Sequence, residues 1–328
     1  MPASRSQSAV LRTALLAVAL VAAACNDDSP VAPVAPDAAE PLGVEATDGT
    51  PELLTAGSGA RILFTSARTG GGDLYRIASN GTGLVRMTSF SGRDVTSVWS
   101  RDNQHIAFVR SRLDASNVAH QDIYLMNADG TGKHWARSLP SSFDITRPSW
   151  SKDGTRIVAT VYIGGAGRLA LMDVATGNMT YVNLAMGGPI GYGPDWDPTS
   201  QRIVYSGALG DTLHMINADG TGHKVILPQK HVSDAHFSPD GKRIAVGYVP
   251  PGESWDIGVK NLVDGTFKRL TWSGYLDFSP TWSGDGSKLA FVSNRSGKNQ
   301  IFVMPSAGGT QVRITDNTVD ENMPAWSH

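Results

Sequence analysis

The 328-residue chain has a single cysteine, Cys25, so no intramolecular disulfide can brace its fold. It has no excess of basic residues. A formal net charge of −2 and a pI near 6.4 leave none of the positive footprint that nucleic-acid binders carry, which argues against nucleic acid as a partner. The uncharged run Thr13 to Ala24 is too short to cross a bilayer. Local catalytic signatures are missing as well: there is no Gly-x-Ser-x-Gly elbow, no His-Glu-x-x-His helix, no complete phosphate-binding loop and no Gly-x-Gly-x-x-Gly. These absences leave open a site assembled from distant segments. Asn127-Ala128-Asp129-Gly130 and Asn217-Ala218-Asp219-Gly220 begin like calcium loops but lack the completing Glu, so they read as hairpin turns.

What the chain does have is glycine and proline, 36 and 18 of them, set between short apolar runs. With 41% hydrophobic residues it can bury a large core, and the punctuation favours many short strands joined by tight turns.

Arg5 and Arg12 precede the run from Thr13, the layout of a secretory signal peptide over residues 1–24. Ala22-Ala23-Ala24-Cys25 resembles the lipobox of bacterial lipoproteins, which implies lipidation of Cys25; the other reading is plain Ala-x-Ala cleavage leaving a free thiol. Several acyl chains on one cysteine anchor firmly, whereas a single chain binds marginally. Residues 25–59 carry seven acids, no Lys or Arg, and five prolines, a composition that cannot order itself and reads as an extended tether. The tether is near −7 and the body from residue 60 near +3. Asn26, following the cysteine, points by analogy with lipoprotein sorting to the outer membrane, at its periplasmic or surface face.

From residue 60 the chain repeats. Trp99, Trp150, Trp196, Phe237, Trp282 and Trp326 recur at intervals of 41 to 51 residues, the period of a four-stranded propeller blade. Each of the first five anchors leads into a tight turn such as Asp153-Gly154 or Asp285-Gly286; at Asp197-Pro198-Thr199-Ser200 the glycine is missing and the turn should differ. An apolar second strand follows, for example Ile106-Ala107-Phe108, then a third, Asp122-Ile123-Tyr124-Leu125-Met126, a glycine hairpin, and a returning fourth strand such as Lys268-Arg269-Leu270-Thr271. The phrase Pro-x-Trp-Ser-x-Asp-Gly, then Ile-Ala-Phe, then Asp-Ile-Tyr-x-Met-Asn-Ala-Asp-Gly-Thr, resembles the repeat of TolB-like β-propellers over residues 60–328. The expected fold is all-β, a six-bladed β-propeller of four-stranded antiparallel blades. Its ring is closed by Met323 to Ser327 completing the first blade beside Arg61-Ile62-Leu63-Phe64-Thr65. Blades of this family occur in scaffolds, lyases and accessory domains of peptidases, so the resemblance implies fold more than activity. Family members with an α/β domain ahead of the propeller use it to contact an inner-membrane partner; the tether stands in that place here, so that role is not carried over.

Acids lie five or six residues before the anchors: Asp94, Asp144, Asp277, Asp320 and Glu321, with His231 taking that place before Phe237 and Asp234 and His236 close behind. Innermost strands line a propeller's channel, so these loops converge on its mouth. Three readings stand: caps of loop backbone; a recognition surface with Arg147, Tyr192, Trp272 and Tyr275 as anchors; or a bound cation held by several carboxylates. His231 and His236 alone do not make a metal site. Trp255 and the loop Ser111 to Gln121 are expected to project beside the mouth, and the anchor aromatics to pack between blades.

The expected function is that of a lipid-anchored, monomeric binding or scaffold module of the cell envelope. It would use no cofactor or metal and would recognise an envelope protein or peptide at the channel mouth through Asp94, Asp144, Arg147, His231, Asp234, Asp277, Asp320 and Glu321. The alternative is a propeller enzyme, a carbohydrate lyase or hydrolase using channel carboxylates with or without a divalent cation.

Overall fold

The computed structural model describes residues 60–113, 119–137, 143–163, 166–182, 191–207, 212–228 and 231–328. The signal segment 1–24, Cys25 and the tether 25–59 lie outside the described residues. The described chain forms six four-stranded antiparallel sheets. Five are contiguous in sequence. The sixth takes its inner strand, Glu321–Trp326, from the far end of the chain and places it beside Arg61–Ser66. Ile62 pairs with Trp326 and Leu63 with Ala325, and the Ser327 amide donates to the Arg61 carbonyl at 2.8 Å. The ring closes as the two ends of the repeat require.

The second strands are continuous apolar runs because each face packs on a different neighbour. Ile106 and Phe108 enter the cluster shared with the first blade, while Ala107 and Val109, one residue out of phase, enter the cluster shared with the third. Six such clusters fill the six gaps between blades, and each holds one anchor aromatic, all nearly fully buried. The anchors are wedges between blades.

The turns after the anchors share one chemistry. Ser151 and Ser283 donate to Asp153 and Asp285, and each aspartate also accepts the backbone amide two residues on, at 3.0 Å. These bonds hold both carboxyls down to about 2. The divergent turn does differ: Ser200 adopts φ 58° in place of a glycine, and the buried Asp197 pairs with Arg202 at 2.8 Å. Trp255 departs from expectation. It does not project but is buried, its ring lying over Gly247, where a Cβ would come within 3.5 Å of it. Of the loop Ser111 to Gln121, residues 114–118 lie outside the described residues.

Candidate functional site: the propeller channel

Each inner strand breaks register once, three residues before its anchor. Thr96 and Ser97 together oppose Phe108, and Arg147 and Pro148 oppose Ala159, the two-against-one geometry of a β-bulge. The first bulge residue is left-handed in all six blades: Thr96 (φ 48°), Arg147 (53°), Gly193 (60°), Asp234 (52°), Ser279 (50°) and Met323 (54°). Five of the six carry a side chain, and such conformations cost of order 1–3 kcal/mol each, persisting where the surrounding structure imposes them. Pro148, Pro194, Pro280 and Pro324 fill the second bulge position in four blades, where no ladder amide is needed. All six first residues line one cavity of about 80 Å3 on the ring axis.

Within that ring the Arg147 guanidinium forms an ion pair with Asp234, reaching from the third blade past the fourth to the fifth. Gly193, on the blade between, leaves the path open: a Cβ there would lie 3.1 Å from Arg147 Cδ. Ser279 donates to the other Asp234 oxygen at 2.7 Å. One layer further along, Asp195 accepts from the Ser149 hydroxyl at 2.7 Å and the Phe237 amide at 2.9 Å, with His236 at 3.8 Å. Burial alone would push the Asp195 carboxyl up, but His236, Arg101 and Ser149 outweigh it and hold it below the usual carboxylate range. At the turn end, Arg101 donates to the Trp196 carbonyl at 3.1 Å and lies 3.4 Å from His328 Nδ1. Surrounding protein atoms, with Arg101 second, push the His328 imidazole down to about 4, although the residue as a whole is exposed.

The acids at the loop end of the inner strands occupy a different environment. Asp94, Asp277 and Glu321 are fully buried. Asp94 makes a two-pronged pair with Arg110 at 2.8 and 2.9 Å, Asp277 pairs with Arg295 at 3.0 Å, and Glu321 with Arg68 at 2.9 Å. Their backbone amides donate to the carbonyls of Gly72, Trp255 and Asn299 on the preceding blade, at 2.8, 2.9 and 2.8 Å. Burial pushes the Asp94 and Glu321 carboxyls up, and Arg110, Ser66 and Arg68 offset this only in part. These three residues clamp neighbouring blades and do not meet Arg147 and Asp234 in the cavity. Asp320 is half-exposed and accepts the Asn299 amide at 2.9 Å. Asp144 pairs through its backbone with Tyr162; its side chain lies outside the description. His231 is left-handed at φ 62°, and its carbonyl accepts from Val249. Trp272 and Tyr275 are exposed on the loop between the fifth and sixth blades, with Arg269 stacked on the Trp272 ring. Among the described residues no group of three or more His, Cys, Asp or Glu is placed to hold a metal ion. Sequence spacing points to Arg147 and Asp234 but gives no reason to single out Gly193, Asp195 or Ser279; the residue before each Pro-x-Trp is the mark they share or lie beside.

A closed ring of six antiparallel blades with side chains aimed onto its axis defines the class, a six-bladed β-propeller with a built channel. Comparison refines it: residues 193–328 match the family model described as TolB beta propeller domain. The chain is 27% identical over 278 residues to the Tol-Pal system protein TolB of Francisella tularensis subsp. holarctica, an alignment covering 68% of this chain and 63% of that protein. TolB from Acinetobacter baumannii superposes with a TM-score of 0.72 at 18% identity, over 82% of this chain and 66% of that one. An oligogalacturonate lyase in complex with manganese shares the fold more distantly, with a TM-score of 0.53 at 16% identity, over 77% and 73%. The chain is a six-bladed propeller similar to TolB and spans a little under two thirds of the TolB proteins it matches.

Proposed function

We propose that the protein is a binding module of the cell envelope that receives a protein or peptide partner in the propeller channel. In this reading residues 1–24 direct export, Cys25 is lipidated, and the acidic spacer 25–59 holds the propeller away from the membrane as a monomer. The observation that carries the proposal is the ring of six left-handed bulges, five of them with side chains, holding Arg147, Asp234 and Ser279 around an open cavity. Bulges re-aim side chains, and the left-handed conformation is repeated in every blade at a level that lines the cavity. The relationship to a protein named for the Tol-Pal system supports an envelope role. Trp272 and Tyr275, exposed beside the loop end, suit the rim of such a contact.

Crosslinking in intact cells tests this. A photoreactive residue at Met323 is expected to capture a discrete envelope protein, and capture is expected to fall when Arg147 or Asp234 is changed. Finding no protein adduct, or adducts indifferent to both residues, would count against it.

A further inference from the structure

The cavity is unbalanced in one respect. Its acceptors are engaged: Asp234 by Arg147 and Ser279, Asp195 by Ser149 and the Phe237 amide. Its donors are not. Trp150 Nε1, Trp326 Nε1, Ser97 Oγ and Thr96 Oγ1 are buried on lining residues and make no hydrogen bond to protein. Arg147 spends one nitrogen of a five-donor guanidinium on Asp234. A buried donor without an acceptor costs about 1–3 kcal/mol, so a cavity with this bias favours an acceptor-only group. The group that best matches a guanidinium flanked by hydroxyl and indole donors is a carboxylate. Size narrows the choice. About 80 Å3 is roughly half of the ~150 Å3 that encloses a benzene molecule, which suits the tip of an acidic side chain.

We infer that the channel is selective for a carboxylate, presented by an acidic segment of the partner, which takes the free donors of Arg147 while Asp234 acts as its internal competitor. This rests on the binding reading above and names its ligand class. Gly193 belongs to the device, because a Cβ there would sit 3.1 Å from Arg147 Cδ and require the arginine to shift, and its left-handed backbone strains any side chain.

The test uses full-length protein in detergent micelles. A capped Gly-Gly-Glu-Gly-Gly peptide and its Gln counterpart are titrated by calorimetry and by the fluorescence of the channel tryptophans. The Glu peptide is expected to bind roughly tenfold or more tighter than the Gln peptide. Arg147→Gln should erase that difference, and Arg147→Lys should retain part of it. Asp234→Asn, by freeing Arg147, should tighten the Glu peptide roughly threefold or more, an effect a purely structural ion pair would not give. Melting curves on each variant establish that it is folded. Equal binding of the two peptides, binding of neither, weaker binding by folded Asp234→Asn, or tighter binding of trigalacturonate than of the Glu peptide would each overturn the inference. Capture of a partner in cells without Glu over Gln preference overturns this inference alone. Preference without any captured protein contradicts the envelope-binding proposal instead.

Discussion

Two kinds of acid–arginine pair involve the inner strands, and they sit in opposite environments. Asp94 and Arg110 face each other in register on adjacent strands of one blade, both buried, with the carboxyl pushed up by its surroundings. Arg147 and Asp234 come from blades two apart, sit on left-handed bulges, and meet across a cavity. The first pair has no surface to offer and braces one blade from within, while the Asp94 backbone amide bonds the neighbouring blade at Gly72. The second lines the channel cavity, its arginine partly exposed and its aspartate buried. Identical side-chain chemistry is thus structural or available for recognition according to whether the backbone is paired or bulged.

The comparison rests on an intact ring, so the largest expected effect is that of opening it. Deleting Met323 to His328 removes the inner strand of the first blade and the Trp326 wedge. The loss should exceed the ~3–5 kcal/mol that truncating one buried tryptophan costs, read as a collapsed or absent thermal transition. An unchanged melting temperature would contradict the closure. Next, Asp94→Ala strands Arg110 in a buried site and should cost ~3–5 kcal/mol by denaturant titration, most of it recovered in the double variant Asp94→Leu with Arg110→Met. Arg147→Gln breaks the channel pair and should cost about 1 kcal/mol or less, because the cavity admits water to the groups left behind. If it costs as much as Asp94→Ala, the distinction between the pairs fails.

The smallest effect concerns the turns. Asp153 and Asp285 are held at about 2 in the fold against an ordinary value of 3.8. A carboxyl depressed in the folded state contributes its stability in full above the unfolded value and loses it as pH falls through the folded one. Stability should therefore decline between about pH 4 and 2 on their account, and Asp153→Asn with Asp285→Asn should flatten that part of an acid-unfolding profile.

The ring was legible in the sequence because each blade repeats the anchor and the doubly buried second strand, four of them with a Ser-x-Asp turn between, and because Trp326 lacks a following strand where Arg61 lacks a preceding anchor. The loop-end acids were visible as residues but not in their role. Of their arginines, Arg110 stands within the second strand of its blade and Arg295 and Arg68 two residues beyond theirs, and nothing marks them until the strands are paired. The channel ring was partly legible: Arg147 and Asp234 stand out as charges near anchors, while Thr96, Gly193, Ser279 and Met323 share no side-chain type with them. What they share is a backbone conformation set by the bulge, hinted at by the proline that follows four of the six.

The most direct test of the central claim, that bulged inner-strand residues bind while paired ones brace, is a side-by-side measurement on Arg147→Gln and Asp94→Ala of melting temperature and of partner capture in cells per folded molecule. The account predicts that Arg147→Gln melts within a few degrees of the parent and loses capture, while Asp94→Ala melts far lower and keeps capture for the fraction that remains folded. The reverse assignment, or loss of both properties together in both variants, would contradict it.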